Sequence, residues 1–388
     1  MTTTTETSGL PLEGLLVLDF SQFLAGPSCA LRLADLGATV VKVERPDGGD
    51  LCRSLVVADQ RHDGDSALFH TINRNKASVA ADLKSPADLA RVKALVARAD
   101  VMIHNFRPGV MTRIGLDAAA AQALNPRLVY AEVSGYGSAG PWRNKPGQDL
   151  LVQSLSGLAW LSGDAGGPPV PTGVSVIDII TGAHLVQGIL AALLRRGVSG
   201  RGAHVEVSLL ESALDLQFEP FTAFLNGDGT QPARSAVNHA NVHTAAPYGI
   251  YRTADGHLAL AMAPPDDLAR LLDCAPLAVL AADRSRWFSA RDSLKAELQR
   301  HLLTAATAHW LARLEPAGIW CADVLNWPQL REHPGFEALG MTQTIGGGER
   351  PAMLTTRCPI RIDGRRLTSP RPAPRLGADT DSWLPPTA

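Results

Sequence analysis

Several kinds of feature are scarce in this 388-residue sequence. Its five cysteines are Cys29, Cys52, Cys274, Cys321 and Cys358, and no two of them have C-x-x-C spacing. This pattern argues against a disulfide framework or a structural zinc site, and it favours a reducing, cytoplasmic location. Because no run of about 18 apolar residues occurs, no membrane span is expected. The net charge is only −2, which gives no electrostatic reason to expect a nucleic-acid partner.

Familiar catalytic motifs are also missing. The sequence contains no H-E-x-x-H, G-x-S-x-G or P-loop, so metalloprotease, α/β-hydrolase and NTPase activities lose support. The turn after the first predicted strand is not G-x-G-x-x-G, which argues against a dinucleotide site. His239 and His243 lie four residues apart and could share a helix face, but no third ligand lies nearby. We therefore predict no metal site.

The sequence does contain a repeated alternation of short apolar strands with helices. Strands are predicted near residues 15–20, 39–44, 77–82, 100–104, 127–133 and 201–208. This alternation predicts an α/β fold whose large Rossmann-like domain is built on a parallel sheet. Continuous helices are predicted over residues 148–161 and 209–225, and a hairpin over residues 248–262.

Composition gives the predicted domain boundaries. Residues 1–10 are polar and are predicted to form a disordered tail, and residues 11–225 form the large domain. A Gly/Asn/Asp-rich break starts a smaller α+β domain over residues 226–330. Residues 331–388 are rich in Pro and Arg, with few apolar residues of their own. This C-terminal segment is therefore expected to return to the large domain.

Asp178 stands where a long apolar helix is predicted to begin, after a Gly/Pro-rich loop. An Asp at a helix start accepts hydrogen bonds from free backbone N–H groups and lies at the positive end of the helix dipole. Both effects favour its ionised form. Cap preference alone favours a structural N-cap, and the alternative is a carboxylate nucleophile presented by the loop. The local pattern leaves both interpretations open.

Basic residues collect at the ends of predicted elements in the N-terminal half. They are Arg45, Lys84, Arg107, Arg113 and Lys145. If these ends meet at one edge of the sheet, the cations can bind a phosphorylated ligand larger than one phosphate. A turn containing Gly135, Gly137 and Gly140 either brings backbone N–H groups to an anion or is a plain tight turn.

Longer stretches of the chain resemble a known family. They include Val17–Pro27, Ala34–Arg45, Asp100–Gly109, Gly147–Gly157 and Gly200–Ser208. These motifs, in register over roughly residues 11–385, are similar to those of the family III CoA-transferases of the CaiB/BaiF type. The same superfamily includes the α-methylacyl-CoA racemases.

The resemblance implies an interlocked homodimer that binds CoA or acyl-CoA as a substrate on the Rossmann-like domain, without a metal. It makes Asp178 the catalytic carboxylate by position. Family positions that touch CoA correspond to Arg45, Ala81, Lys84, Asn105, Phe106 and Arg113, and Lys145 corresponds with a one-residue shift. Phe23 and Leu24 match positions beside the thioester, and Gln148 matches an active-site position that varies with substrate.

Two departures from the family pattern bear on the reaction. Racemases of the family carry a histidine where this chain has Gln148, so a two-base racemisation lacks one base. The tetraglycine loop of formyl-CoA transferase corresponds here to residues 237–247, which include His239, Asn241 and His243. These polar side chains are expected to meet a polar or dicarboxylic acceptor.

The implied activity is an acyl-CoA:carboxylate CoA-transferase of organic acid metabolism. It would act through acyl-aspartyl anhydride and aspartyl-CoA thioester intermediates, with the Gly135–Gly140 backbone stabilising the oxyanion. Its partners would be an acyl-CoA donor and a carboxylic-acid acceptor. The alternatives are a racemase or isomerase of branched acyl-CoA and a CoA-binding protein without catalytic activity.

Overall fold

The structure, a computed structural model, describes residues 9–384. Residues 1–8 of the predicted tail therefore lie outside the described residues. The chain forms two compact units. The first contains the described residues up to Val152, Ser175–Ala213 and the described residues from Leu339 onward, and the second contains Gln153–Val174 and Leu214–Ala338. The predicted domains differ from these units, since residues 153–174 and 214–225 group with the second unit and its end lies at residue 338.

The first unit is built on one six-stranded sheet. Its strands are β1 (Leu16–Asp19), β2 (Thr39–Glu44), β3 (Lys76–Ala80), β4 (Val101–His104), β5 (Val129–Ser134) and β6 (Ala203–Ser208). Their order is β3-β2-β1-β4-β5-β6, and every neighbouring pair is parallel. This is the strand order of a dinucleotide-binding fold, in which the direction of winding reverses between β1 and β4. The predicted α/β fold with a parallel sheet is confirmed.

Helices flank the strands of this sheet. They span Ala25–Asp35, Ala67–Asn73, Pro86–Val96, Val110–Ile114, Ala118–Leu124, Asp149–Leu155, Val176–Ser199 and Leu209–Leu216. Helix Pro86–Val96 begins as its sequence predicts, because the Ser85 hydroxyl accepts a hydrogen bond from the Asp88 backbone N–H.

Val176–Ser199, hereafter the long helix, packs against helix Ala25–Asp35. A Cβ at Gly182 would lie 2.3 Å from the Ser28 hydroxyl oxygen and 2.8 Å from the Ala25 carbonyl oxygen, so glycine permits this approach. The long helix has 24 residues, and an 18-residue window within it has a mean hydropathy of 1.8, which by length and composition alone would allow it to cross a membrane. Its buried face includes Leu185 and Ile189. These apolar side chains pack against the rest of the first unit, which explains why they are apolar.

Two predicted helices are broken in the structure. The helix predicted over residues 148–161 ends at Leu155, where Gly157 takes a φ of +85° before a short 3₁₀ turn, Leu158–Leu161. The helix predicted over residues 209–225 is interrupted at Gln217. Apolar periodicity continues across both breaks, so the sequence pattern does not predict them.

The second unit is a smaller α+β body. Its antiparallel sheet has the order Cys321–Asp323, His257–Leu260 and Gly249–Arg252. Its helices span Phe218–Leu225, Pro265–Leu271, Ala275–Ala281, Arg291–Leu302, Thr307–Leu314, Trp327–Glu332 and, at the unit boundary, Pro334–Leu339. Leu258 and Leu298 belong to its apolar core.

The C-terminal segment contains regular structure that the sequence does not predict. It forms two hairpins, Thr342–Gly347 with Arg350–Thr356 and Arg361–Ile362 with Arg365–Arg366, followed by helix Thr380–Trp383. The segment then bonds to the edge strand β3. The Ser78 N–H donates to an Asp379 carboxylate oxygen at 2.9 Å, and the Ala80 N–H donates to the Thr380 hydroxyl at 3.0 Å. These bonds satisfy backbone groups that an open sheet edge would leave exposed.

Candidate active site

Two loops meet at the carboxyl edge of the sheet, where the winding reverses between β1 and β4. The Gln22 N–H donates to the Asn105 side-chain oxygen at 2.8 Å, and the Asn105 side-chain NH₂ donates to the Gln22 carbonyl at 2.7 Å. This reciprocal pair adjoins two cavities. Gln22 and Phe106 line one of them, and Phe23 and Asn105 line the other. Ligands of open parallel sheets bind at this edge.

The cavity that contains Asp178, called here the Asp178 cavity, has a volume of about 330 Å³. Much of its wall is apolar, with side chains from Phe23, Leu24, Leu55, Leu68 and Leu209. Its polar lining groups come from Asn105, Ser134, Gly135, Gln148 and Ser175. The structure therefore brings together the predicted catalytic carboxylate, both residues predicted beside the thioester, and Gln148.

Asp178 is the third residue of the long helix, so of the two interpretations left open by the sequence, the N-cap does not apply. Ser175 occupies the N-cap position without a side-chain capping bond. A carboxylate oxygen of the buried Asp149 instead accepts hydrogen bonds from the Ile177 N–H at 2.8 Å and the Asp178 N–H at 3.0 Å. Asp149 thereby satisfies two free N–H groups of the helix start. The Asp178 carboxylate is not needed for capping and lines the cavity.

The ionisation of Asp178 also differs from the expectation. Burial, and after it the negative charge of Asp149, raise the pKa of Asp178 to about 7. The expectation that the helix start keeps this carboxylate charged is therefore wrong. Two of the helix N–H groups are bonded to Asp149, whose charge opposes a second charge nearby. Near neutral pH, Asp178 is present in both its protonated and its ionised form.

The second cavity, called here the Arg45 cavity, has a volume of about 230 Å³. Four of the residues predicted to bind CoA line it: Arg45, Ala81, Lys84 and Phe106. Val43, Leu83, Val110 and Ile114 add apolar walls. An apolar slot with two cations at its margin has the chemistry to hold an aromatic base together with phosphate groups.

Other predicted site residues do not line these two cavities. Arg113 and Lys145 are exposed and line neither. Gly140 is likewise absent from both linings. The Gly137 N–H donates to the Ser134 hydroxyl at 3.0 Å, so that donor is already in use. Gly135 does line the Asp178 cavity, and a Cβ there would lie 2.7 Å from the Gly147 Cα, so this close backbone contact requires glycine.

The three polar residues predicted to meet the acceptor belong to the second unit. The His239 Nδ1 accepts from the Ser235 N–H at 2.9 Å, and the His243 Nε2 lies 3.3 Å from the Pro220 carbonyl. The Asn241 side-chain oxygen accepts from the His243 N–H at 2.8 Å. All of these contacts lie within the second unit, and the role of the three residues toward an acceptor stays a prediction.

Phe23 lines the Asp178 cavity with a backbone conformation that is unusual for an aromatic residue. Its φ is +64°, in the left-handed region. The Phe23 N–H donates to an Asp50 carboxylate oxygen at 3.3 Å, and the same oxygen accepts from the Cys52 N–H at 2.9 Å. Asp50 thus helps to hold the loop in this conformation.

Asp50 belongs to a buried network of four charges with Asp19, Lys42 and Lys76. The Lys42 ammonium lies 2.8 Å from Asp50 and donates to the Ser21 carbonyl at 2.7 Å, and the Lys76 ammonium lies 2.9 Å from Asp19. Burial alone would raise the pKa of Asp19, but Lys42 and Lys76 lower it to about 2. Two positive and two negative charges therefore compensate one another beneath the loop.

The sequence alone does not predict the structural roles of Asp149 and Asp50. Asp149 directly follows Gln148 in a stretch that the resemblance covers, so its position was available as a signal. Its partners lie 28 and 29 residues further along the chain, however, and periodicity does not predict such distant contacts. The Asp50 contact to Phe23 spans 27 residues, so periodicity does not predict it either.

Known proteins resemble this chain over almost its whole length. The family model of CoA-transferase family III matches residues 12–380. The succinate–glutarate CoA-transferase of Agrobacterium fabrum is 33% identical over 377 residues, covering 95% of this chain and 93% of that protein. The acetyl-CoA:oxalate CoA-transferase of Acetobacter aceti is 33% identical over 375 residues, covering 94% and 93%.

A solved structure agrees with these sequence relationships. The crystal structure of Rv3272 from Mycobacterium tuberculosis superposes with a TM-score of 0.82 at 30% identity, covering 97% of this chain and 99% of that chain. The match to the family model, the identity to named CoA-transferases and this structural similarity all extend over both compact units. The chain therefore belongs to CoA-transferase family III and is a CoA-transferase.

Proposed function

We propose that this enzyme transfers CoA from an acyl-CoA donor to a carboxylic acid, with Asp178 as the covalent nucleophile. The observation that carries the proposal is the position of Asp178, which lines a partly apolar cavity while Asp149 caps the helix start. An ionised carboxylate in such a cavity is weakly solvated and therefore more nucleophilic than one in water.

The proposed reaction proceeds through four exchanges at carbonyl carbons. The Asp178 carboxylate attacks the donor thioester, the C–S bond breaks, and an acyl-aspartyl anhydride and CoA thiolate result. The thiolate attacks the aspartyl carbonyl, which releases the donor acid and forms an aspartyl-CoA thioester. The acceptor carboxylate displaces the thiolate to form a second anhydride. The thiolate then attacks the acceptor's acyl carbon, which gives the new acyl-CoA and regenerates Asp178.

The two cavities support a binding mode in which the two ends of CoA lie in different cavities. We place the nucleotide part of CoA in the Arg45 cavity, where Arg45 and Lys84 provide positive charge for phosphates. The pantetheine arm would pass Gln22 and Asn105 and bring the thioester into the Asp178 cavity. The apolar walls there would limit the access of water to the anhydride.

The relatives support short organic acids as substrates. One is named for succinate and glutarate, and another for acetyl-CoA and oxalate. We infer that this enzyme also accepts a small dicarboxylic acid, with succinyl-CoA as the first donor to examine. A matrix of acyl-CoA donors against mono- and dicarboxylic acids, analysed by mass spectrometry, would identify the pair with the highest kcat/KM.

The nucleophile is tested with Asp178→Asn and Asp178→Ala. Both variants should lose exchange while they bind CoA within a few-fold of the wild type. In wild-type enzyme incubated with donor, hydroxylamine should trap the aspartyl thioester, and peptide mapping should find the modification at residue 178. Near-normal turnover by either variant would reject Asp178 as the nucleophile.

A racemase or isomerase activity is the alternative from within the superfamily. We expect no incorporation of solvent deuterium at Cα of an acyl-CoA in the absence of an acceptor acid, because Gln148 provides no second base. Rapid incorporation that Asp178→Ala abolishes would support the alternative instead.

We also propose that the enzyme acts as an interlocked homodimer in the cytoplasm. Leu194 and Val198 on the long helix are 78% and 94% exposed, which is unusual for apolar residues and supports a partner surface. All five cysteines are free thiols, as expected of a protein from a reducing compartment.

A further inference from the structure

A third cavity of about 370 Å³ opens on the first unit beside β4 and β5. Three potential metal ligands line it: His104 at the end of β4, Glu132 on β5 and His204 on β6. The strand register places them together, because His104 pairs with Glu132, and Glu132 in turn pairs with Glu206. Two histidines and two glutamates therefore occupy one face of three neighbouring strands.

Two of the distances within this group, both from His204, are long for hydrogen bonds. His204 Nε2 lies 3.7 Å from one oxygen of Glu132, and His204 Nδ1 lies 3.8 Å from an oxygen of Glu206. His104 Nε2 lies 3.2 Å from the other oxygen of Glu132. Ligands that surround a Zn²⁺ ion tetrahedrally lie roughly 3.3–3.6 Å apart, given the usual metal–ligand distances. The two His204 distances are thus closer to the spacing of ligands around a metal ion than to that of hydrogen-bonded atoms.

His104 gives a second, independent indication of a ligand. Its side chain is about 95% buried, and its Nε2 lies 3.2 Å from Glu132, yet among the described residues neither ring nitrogen makes a hydrogen bond of good geometry. A buried imidazole without such a bond is costly in free energy. A cation held by Glu132 would polarise the carboxylate that His104 contacts, and outer contacts of this kind orient metal-binding carboxylates.

We propose that Glu132, His204 and Glu206 bind one divalent transition-metal ion such as Zn²⁺, with His104 supporting Glu132. Candidate ligand atoms of these three residues lie within 4.8 Å of one another. Imidazole and carboxylate donors suit Zn²⁺ and Co²⁺.

The position of the site indicates a structural function. The ion would connect β5 to β6, and His104 stacks on Phe106 with ring centroids 6.1 Å apart. Phe106 also lines the Arg45 cavity. Arg107 and Arg143 line the third cavity too, so the attraction for a cation comes from the carboxylates beside His204 rather than from the cavity as a whole.

The test uses the whole enzyme after treatment with a chelator and titrates it with Zn²⁺ by calorimetry. We expect one Zn²⁺ per chain, at least tenfold weaker binding in His204→Asn, and unchanged binding in the control His257→Asn, which alters an exposed histidine of the second unit. Co²⁺ should give the intense visible absorption of a tetrahedral site. Zn²⁺ should raise the melting temperature of the wild type but not of His204→Asn.

A second variant keeps the test decisive if His204→Asn fails to fold. Glu206 is exposed, so Glu206→Gln should fold and should also bind Zn²⁺ at least tenfold more weakly. The proposal is overturned if the wild type binds no Zn²⁺, or if both variants that fold bind it as tightly as the wild type. Neither outcome would affect the assignment of Asp178, which is tested by exchange activity and hydroxylamine trapping.

Discussion

In the proposed mechanism Asp178 must be ionised to attack a thioester, yet its surroundings favour the protonated form. Burial makes the larger contribution and the charge of Asp149 the next, and together they raise the pKa to about 7. The same Asp149 holds the first turn of the long helix through two N–H groups. The buried Asp149 side chain therefore stabilises the helix start and at the same time reduces the fraction of Asp178 that is ionised at neutral pH.

Replacing Asp149 with asparagine separates these two effects. Asn retains a side-chain oxygen for the two N–H groups but removes the negative charge. The acid limb of the kcat/KM profile should therefore move to lower pH by roughly one pH unit, because a like charge near Asp178 has been removed. The measurement is kcat/KM from pH 5 to 9 for Asp149→Asn, with Glu337→Gln as an exposed control. An acid limb that stays in place would show that Asp149 does not influence the ionisation of Asp178.

The raised pKa of Asp178 also makes stability depend on pH. In the unfolded chain, Asp loses its proton near pH 3.9, whereas the folded enzyme keeps it until about pH 7. The folded state therefore binds more protons between about pH 4 and 7, and its stability falls as the pH rises through that window. Asp178→Asn lacks this loss.

We accordingly expect the melting temperature of Asp178→Asn to exceed that of the wild type by more at pH 8 than at pH 4. Melting both proteins across this range by circular dichroism measures the difference. The explanation fails if the difference between the two proteins is the same at both ends of the range.

At the scale of elements, the loop after β1 depends on the buried charges beneath it. Lys42 connects Asp50 with the Ser21 carbonyl, and Asp50 holds the Phe23 N–H. Residues from β1, β2 and β3 thus fix the loop that lines the Asp178 cavity. This network has equal positive and negative charge, so the removal of one member leaves an uncompensated buried charge.

Lys42→Met should therefore lower the free energy of unfolding by about 3–5 kcal/mol. It should also raise KM for acyl-CoA, because the loop that carries Gln22 and Phe23 loses its support. Urea denaturation and steady-state kinetics measure the two effects, and Lys93→Met provides a control at a half-buried lysine outside the network. If Lys42→Met and Lys93→Met lowered the free energy of unfolding equally, the buried charge network would not contribute more to stability than a lysine outside it.

The sequence predicted the strands of the large sheet more accurately than the helices around them. Each predicted parallel strand lies within two residues of its observed bounds, because buried parallel strands are short apolar runs. The helix breaks at Gly157 and Gln217 were missed because apolar spacing continues across them. The C-terminal hairpin Thr342–Gly347 with Arg350–Thr356 was missed because most of its residues are at least partly exposed and lack alternating hydrophobicity.

At the scale of the whole molecule, the chain alternates between two compact units. It leaves the first unit after Val152, returns at Ser175, leaves again after Ala213 and returns at Leu339. The sequence predicted one departure, at the Gly-rich break near residue 226, and one return. Composition marks flexible segments, whereas membership of a unit depends on long-range contacts, so the short excursion over residues 153–174 left no signal.

Interlocked chains would make the proposed dimer unusually persistent. At least one chain would have to unfold before the dimer could separate, so subunits should not exchange under native conditions. We expect two differently tagged preparations to remain unmixed for days at 25 °C, as measured by native mass spectrometry. They should mix after denaturation and refolding. Exchange within minutes would contradict the interlocked arrangement, whereas a monomer in solution would contradict the dimer itself.

The hydrogen bonds between Gln22 and Asn105 have a consequence for the choice of thioester. Gln22 lines the Arg45 cavity and Asn105 lines the Asp178 cavity, so in the proposed binding mode the pantetheine arm would have to be long enough to pass this pair. In that binding mode, a thioester of N-acetylcysteamine would reach Asp178 but leave the Arg45 cavity empty. Because binding energy from the remote part of a substrate is used to align the reacting part, the shortened thioester should show a reduced kcat as well as a raised KM. The enzyme would thereby recognise CoA by the length of its pantetheine arm as well as by the charge of its phosphates.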